Sequence, residues 1–421
     1  MTIRFLGAAA LAAPLALAHP AAAAPARFGD PVPITVGLTF DPMLDARLRW
    51  ENVDTPAADA DAVTVRLRSG FEVRHAPSHL SFLAEAEATL GIVNDYNAFP
   101  FVVASHQRRT QHAVIPDPQS IELNRVQLQY KTKHATVTIG RQRINLDDQR
   151  FVGAVGWRQN EQTFDAVRGE ATFGPVSLDA TYAISERTIF GSDSGPRQGY
   201  GGDFVFLGAG AKLGPVNMKA FSYLLSYDEA FFAANSSQTY GGRATASFGL
   251  APKIKLNLAA SYARQSGYGT NPVKYSADYI AGEAGLAWNG LAATGGYELL
   301  GGDSTAHKSF QTPLATLHKF NGWADLFLTT PQTASYGGLR DIYGGIAYKF
   351  EGVKALPGLN AAVIYHSYDS DYGDKHYGTE WNASIGFKLY KVALLAKFAD
   401  YQANSFGTDT RKFWLQADYA F

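Results

Sequence analysis

Apolar and polar residues alternate along most of this chain in segments of about ten. In the stretch 63–74, Val63, Val65, Leu67, Phe71 and Val73 fall on one face, and Thr64, Arg66, Arg68, Gly70, Glu72 and Arg74 on the other. The stretch 43–51 does the same, with Leu44, Ala46, Leu48 and Trp50 set against Asp45, Arg47, Arg49 and Glu51. Successive side chains of a strand point to opposite faces, so each segment reads as a strand with one apolar and one charged side. Eighteen such segments are predicted: 43–51, 62–74, 80–90, 121–130, 134–143, 163–173, 176–187, 203–213, 216–227, 238–250, 253–264, 277–288, 291–301, 337–350, 359–369, 376–389, 391–401 and 409–421.

The connections alternate between short and long. The short ones fall at 75–79, 131–133, 174–175, 214–215, 251–252, 289–290, 351–358 and around Tyr390, several of them Gly-Pro, Ala-Pro or Asn-Gly pairs that suit tight turns. The long ones fall at 52–61, 91–120, 144–162, 188–202, 228–237, 265–276, 302–336, 370–375 and 402–408. In a closed meander this places every short turn on one rim and every long loop on the other. The predicted fold is therefore all-β: a transmembrane antiparallel up-and-down β-barrel of about 18 strands with short periplasmic turns and long extracellular loops. Aromatic residues near strand ends (Trp50, Phe173, Tyr227, Trp288, Phe350, Tyr390 and Tyr401) suit the headgroup level. The last segment carries Phe413, Leu415, Ala417, Tyr419 and Phe421 on one face, the form of terminal strand that bacterial barrels show to their insertion machinery. A soluble propeller would show a repeat of about 40–50 residues, and none is present.

Residues 1–24 read as a cleaved secretory signal, with Arg4, an apolar run and then small residues. Residues 25–421 read as one barrel domain, because no linker, charge run or low-complexity segment divides them. The expected location is the bacterial outer membrane, with its lipid and lipopolysaccharide as surroundings. The chain has 37 Lys+Arg, 38 Asp+Glu and a net charge of −1, which argues against a nucleic-acid partner. It has no Cys, which excludes thiolate metal sites, Cys nucleophiles and iron–sulfur clusters. Its ten His show no ligand spacing, so neither a metal nor another cofactor is expected.

Charge on a lipid face costs about 2–4 kcal/mol near the midplane, so the polar faces should line the lumen. Arg47, Arg49, Arg66, Arg68, Arg125 and Arg168 should point inward, with Asp45, Glu51, Glu72, Glu85 and Glu87 beside them. Two uses fit such a wall, and they are compatible: an ion-pair lattice that stiffens the barrel, or a selectivity ring for an anionic or sugar-like solute. Later strands carry Thr245, Ser247, Asn257, Ser261, Thr294, Asn382 and Ser384 on the same side, making the lumen asymmetric.

The stretch 140–168 is too polar for lipid and too aromatic for a disordered loop. Val137 and Ile139 share a face with Arg141 and Arg143, so either a bulge falls near Gly140 or the strand leaves the membrane there. Its GRQRI, DDQRFVG and GWRQNEQTFDAVR runs resemble the core motif of the alginate export porin family. Residues 62–72, 318–328 and 338–341 resemble two further blocks of that family. The resemblance implies an eighteen-stranded outer-membrane barrel, whose namesake passes an acidic polysaccharide through an arginine-lined constriction with paired carboxylates. By motif position Arg47, Arg68, Arg125, Arg141, Arg143, Arg150, Arg158 and Arg168 would be the arginines. Glu72, Asp147, Asp148 and Asp165 would be their carboxylate partners.

Loops 91–120 and 302–336 are long enough to gate a pore by folding inward, or to form external lids. The function expected is a channel passing a hydrophilic solute, with an acidic saccharide the favoured case. The alternatives are a general diffusion porin and a lipase- or protease-like barrel enzyme. The enzyme would need a nucleophile beside His307, His318 or His366, and no such signature accompanies them.

Overall fold

The structure, a computed structural model, describes residues 29–421; the expected signal segment lies outside them. Eighteen strands close into one antiparallel barrel. In chain order they are β1 (Leu38–Asp54), β2 (Asp59–His75), β3 (Leu80–Asp95), β4 (Ser120–Lys131), β5 (Ala135–Gln142) and β6 (Thr163–Phe173). There follow β7 (Val176–Arg187), β8 (Gly199–Leu213), β9 (Val216–Tyr227), β10 (Ser237–Ala251), β11 (Ile254–Gly267) and β12 (Ser276–Trp288). The last six are β13 (Leu291–Leu300), β14 (Leu339–Lys349), β15 (Asn360–Asp369), β16 (His376–Leu389), β17 (Val392–Ala403) and β18 (Thr410–Ala420). Each pairs with its neighbours in sequence, and β1 closes on β18 from Asp45↔Ala420 to Asp54↔Arg411. A further short strand, Val32–Thr35, pairs with the start of β1 where β18 has ended.

Every expected strand is present, and the differences lie at the ends. The β1 and β2 ladder continues from Leu38↔His75 to Asp54↔Asp59, so the connection expected at 52–61 is only 55–58, closed by Thr55 Oγ1 and Ala58. Alternation marks only the part of a strand that separates lipid from water. Beyond the bilayer, backbone pairing alone extends the strands, and it leaves no trace in the pattern.

The two faces divide as the alternation requires. Leu48, Leu67, Ile139, Leu258, Ile346 and Val363 are exposed on the outside, whereas Arg49, Arg66, Glu87 and Asn382 are buried inside. Phe173, Trp288, Phe350 and Tyr390 stand exposed at the short-turn rim, as a girdle should. Tyr227 and Tyr401, expected in the opposite girdle, are instead fully buried and point inward with Tyr223 and Lys397. Their parity already placed them there. Turns at Gly174 and Gly214 open with φ of +58° and +60°, the positive value that two-residue hairpins ask of their first residue.

Pairing runs through Gly140 without a shift on either side, from Val126↔Arg141 to Lys131↔Thr136 and from Ala135↔Ala171 to Gln142↔Phe164. There is no bulge at that glycine. The irregularities fall in the next ladder on each side, at Asn124 in β4 (β3–β4) and Ile184 in β7 (β6–β7), and the chain leaves the sheet after Gln142. Gly140 itself has φ +112°, and a Cβ there would lie 2.3 Å from the Val126 carbonyl oxygen.

The face assignment is testable. Thr294 and Gly345 are register partners, and Ile346 is the next residue. Ile346→Arg should destabilise the barrel by about 2–4 kcal/mol in reversible urea unfolding from lipid vesicles. Thr294→Arg, on the lumen face, should cost under half as much.

Candidate functional site: an arginine wall and two inserted loops

Two long-rim connections enter the barrel, 143–162 between β5 and β6 and 301–338 between β13 and β14. They are joined to each other before they touch the wall. Val152 bridges to Leu314, the Gly153 amide donates to the Leu314 carbonyl at 2.8 Å, and the Thr316 amide donates to the Gln149 carbonyl at 3.1 Å. Gln162 Nε2 donates to the carbonyls of both Gly153 and Leu314. Aromatic packing seats the pair. Phe151 lies 5.2–5.9 Å from the rings of Phe221, Tyr223, Tyr279 and Phe310, and Phe327 packs on Tyr368, Tyr377, Tyr401 and Phe406. The connection 96–119 behaves differently. Its Tyr96, Phe99 and Ile115 cap the ends of β1 and β2 by packing on Val53, Ala60 and Ala62, and at its end Asp117 reaches down to the arginines.

The wall facing these loops comes from β1 and β2, where alternation aims Arg47, Arg49, Arg66 and Arg68 inward. Arg47 Nε holds Asp418 at 2.7 Å, and its Nη1 donates to the Trp157 carbonyl at 2.9 Å. Arg49 takes Gln416 Oε1 and Asp117, and its guanidinium lies 4.2 Å over the Trp157 ring. Arg68 pairs with Glu87 and, at 3.2 Å, with Glu161 of the inserted loop. Arg125 grips Glu85 with two hydrogen bonds, of 2.8 and 2.6 Å. Arg158, from the loop, reaches back to Glu51 at 3.1 Å and Asp325 at 2.6 Å. Burial alone would raise the Glu161 carboxyl, but the guanidiniums of Arg143 and Arg68 hold it well below the usual carboxylate range. Arg66 is only 1% exposed and pairs with Asp45 through Nη2, while its Nε and Nη1 are buried without an acceptor.

Beside this wall Trp157, His318 and Lys397 form a compact box. The His318 ring stacks on Trp157 at 4.4 Å, and Lys397 Nζ lies 3.9 Å from the Trp157 ring and 3.8 Å from that of Trp323. His318 Nδ1 faces Asp325 at 2.8 Å, and its Nε2 faces Lys397 Nζ at 2.8 Å. A neutral ring satisfies both contacts, with Nδ1–H donating to Asp325 and Nε2 accepting from Lys397. Burial pushes the imidazole well below its ordinary value, against the pull of Asp325 and with the help of Lys397.

The residues expected at the site divide into several groups. Arg47, Arg49, Arg66, Arg68, Glu85, Arg125, Arg143 and Arg158 come together in one network through the contacts above and through Arg143–Glu161. Arg150 lies further round, on Glu298 at 2.7 Å and Asn321 at 2.9 Å, where it ties both loops to β13. Glu72 pairs with Arg74, and Arg168 with Glu170, nearer the short-turn rim. Asp147 and Asp148 do not meet these arginines; they reach Lys219 and Arg243 on the far wall. Arg141 and Asp165 pair at 2.8 Å on the face shared with the exposed Ile139 and Val167, outside the barrel. The resemblance drew them inward, but the parity of β5 and β6 does not allow it.

Sequence reasoning missed Trp157, Glu161, Asp117, His318, Asp325 and Lys397 as partners of the wall. Only Lys397 left a signal, as an inward charge in an apolar strand; the rest sit on loops without periodicity. Among the described residues, no group of three or more His, Asp or Glu is placed to hold a metal ion.

The alginate export family model matches residues 61–299, more than half of the chain. The chain belongs to the alginate export family. No curated protein sequence matches it significantly. Among solved structures, the family member resembles Pseudomonas aeruginosa OpdO (TM-score 0.67, 15% identity, 91% of this chain and 97% of that one). It also resembles OccK9 (OpdG) of the same organism (0.69, 14%, 91% and 98%) and that organism's OccK2 (OpdF), solved in complex with glucuronate (0.66, 14%, 91% and 98%). These neighbours share the fold, that of an outer-membrane porin-like barrel.

The neutral His318 gives the site a pH dependence. Its proton affinity is lower folded than unfolded, so its contribution to stability is complete above the ordinary imidazole value of about 6.5 and falls away as the pH drops below it. Protease cleavage within 301–338 should therefore rise between about pH 7 and 5 in detergent. His318→Gln should flatten that rise.

Proposed function

We propose that this protein is a gated outer-membrane channel for a hydrophilic solute carrying carboxylates, with an acidic saccharide the favoured cargo. The observation that carries the reading is Arg66. A guanidinium with two buried nitrogens that lack an acceptor, beside Arg47 and Arg68, is a costly arrangement that an arriving anion would relieve. The family supports a transport role. Glucuronate in OccK2 and vanillate in the related OpdK are both carboxylates, so folds of this type accommodate such anions. Arg49 is 0% and Arg66 1% exposed, so the solute reaches the wall only after the inserted loops shift. Inner arginines would then exchange contacts with successive carboxylates, each weak enough to release.

One observation favours a second reading, general diffusion without preference. Nearly every guanidinium of the wall already has a carboxylate, so the net field is small. An enzymatic reading has less support. His318 and His366 both pair with aspartates, but Lys397 occupies the other nitrogen of His318, and among the described residues no Ser or Thr hydroxyl hydrogen-bonds either ring. The outward row ending at Tyr419 and Phe421 is the part we assign to recognition by barrel-insertion machinery.

Planar-bilayer recording separates these readings. Under a salt gradient the wild-type channel should prefer anions and be blocked by oligouronate. Arg66→Gln should reduce the preference and weaken block by roughly ten-fold, the scale of one charge-assisted hydrogen bond. Arg141→Gln, outside the barrel, should change neither. Steps that ignore oligouronate in every variant would leave general diffusion as the function.

A further inference from the structure

A second group of partly solvent-open cations lies away from the arginine wall. Half-way round the barrel, β9 and β10 bring Lys219 and Arg243 into register as inward partners. The tip of loop 143–162 reaches both. Asp147 lies 3.1 Å from Lys219 Nζ, and Asp148 lies 2.8 Å from Arg243 Nη1. Lys319, from the second inserted loop, donates to the Asp148 carbonyl at 2.8 Å. Tyr223 Oη donates to Asp147 at 3.3 Å, and Ser261 Oγ accepts from Arg243 at 3.0 Å. The other charged groups here are Asp179, 2.7 Å from Lys219, and Glu283, which accepts from Tyr343 Oη.

Three features set this contact apart from the fully buried pairs of Arg49 and Arg158 across the lumen. The side chains are about one-fifth exposed (Lys219 17%, Asp147 20%, Arg243 23%, Asp148 22%), whereas Arg49 and Arg158 are 0% and 3%. The tip is strained: Asp147 and Gln149 hold φ of +51° and +69°, left-handed values that non-glycine residues adopt only when contacts compensate. The wall also makes room for the lysine, since a Cβ on Gly208 would lie 2.4 Å from Lys219 Cε and 2.5 Å from Asp179 Oδ2. Removing the two tip carboxylates leaves three cations (Lys219, Arg243, Lys319) against two acids (Asp179, Glu283).

We propose that Lys219, Arg243 and Lys319 form a second carboxylate-binding site, and that Asp147 and Asp148 occupy it as a tethered stand-in for two carboxylates of the solute. The idea rests on the channel reading above and extends it. An arriving dianionic segment takes the cations and frees the tip. Gln149, next in the chain, holds Thr316 through its carbonyl and its Oε1, so release of the tip is passed directly to the second loop.

The test is a double-mutant cycle on the full-length protein in planar bilayers, read as half-blocking concentration for two probes, an oligouronate and glutarate. Asp147→Asn with Asp148→Asn should tighten block by roughly three- to ten-fold, the range for two partly exposed ion pairs. Lys219→Gln with Arg243→Gln should weaken it. In the four-substitution variant the Asp changes should give no gain, because their effect requires the cations. An equal gain with and without the cations would show that the acids act only as diffuse pore charge, and would overturn the proposal. No gain from the Asp variant would also overturn it. Should the Lys/Arg variant fail the heat-modifiability check for folding, Arg243→Lys with Lys219→Arg serves instead: there the gain from the Asp changes should persist, and its loss would count against the site. Coupling with glutarate but not oligouronate would uphold the site while rejecting the saccharide reading. Coupling with neither would reject the site.

Discussion

A guanidinium buried away from solvent needs acceptors. Arg49 and Arg66 are almost wholly buried, and an uncompensated charge at such depth costs several kcal/mol. Neighbouring strands supply some acceptors, such as Asp45, Glu87 and Asp418, but not enough of them. Others come from outside the wall: Glu161 and the Trp157 carbonyl from one inserted loop, and Asp117 from the cap, and of these arginines Arg66 alone keeps two nitrogens without an acceptor. Two-way pairing fixes the geometry, because Arg158 of the loop in turn needs Glu51 of the wall. The arginines that would attract a solute are thus the groups that hold the closing element in place.

The proposed function builds on this double use. The inserted loops are tied to each other through Val152, Leu314, Gln149 and Thr316 and seated on aromatic rings, so displacement at one point is felt by the whole element. Under the proposed function, a solute offering carboxylates would compete for the same guanidiniums as Glu161 and Asp117. Ion pairs in a mixed-charge wall are individually replaceable at little net cost, which suits a path whose contacts must form and break in sequence. Such a device needs no large net charge, in keeping with a chain of net charge −1.

Much of this was legible in the sequence. Period-two alternation located all eighteen strands, because a wall between lipid and water imposes a strict two-sided pattern. Turn chemistry at Gly174 and Gly214 fixed which rim was which. The inward arginines of β1 and β2 followed from parity alone, whereas Arg125 of β4 points inward because the phase changes at Asn124. The case of Arg141 is instructive: alternation put it on the face of Ile139, and only the resemblance to the family suggested the lumen; the structure keeps it with Ile139. The partners were not legible. Trp157, His318 and Lys397 come from separate parts of the chain and meet only because two loops fold inward, and loop conformation leaves no periodic trace. Loop length was also a poor guide to insertion, since 96–119 caps the rim while the shorter 143–162 enters.

The central claim is that the inserted loops are a seated part of the lumen. Hydrogen–deuterium exchange of the protein in lipid nanodiscs tests it most directly. The Gly153 amide bonds to Leu314, the Gln159 amide to Asp117 and the Ala324 amide to Glu380. These amides should exchange as slowly as those of the barrel strands beside them. If instead the amides of 143–162 and 301–338 exchange as fast as those of the exposed connection 351–358, the loops are not seated, and the account of a closed, arginine-held channel is wrong.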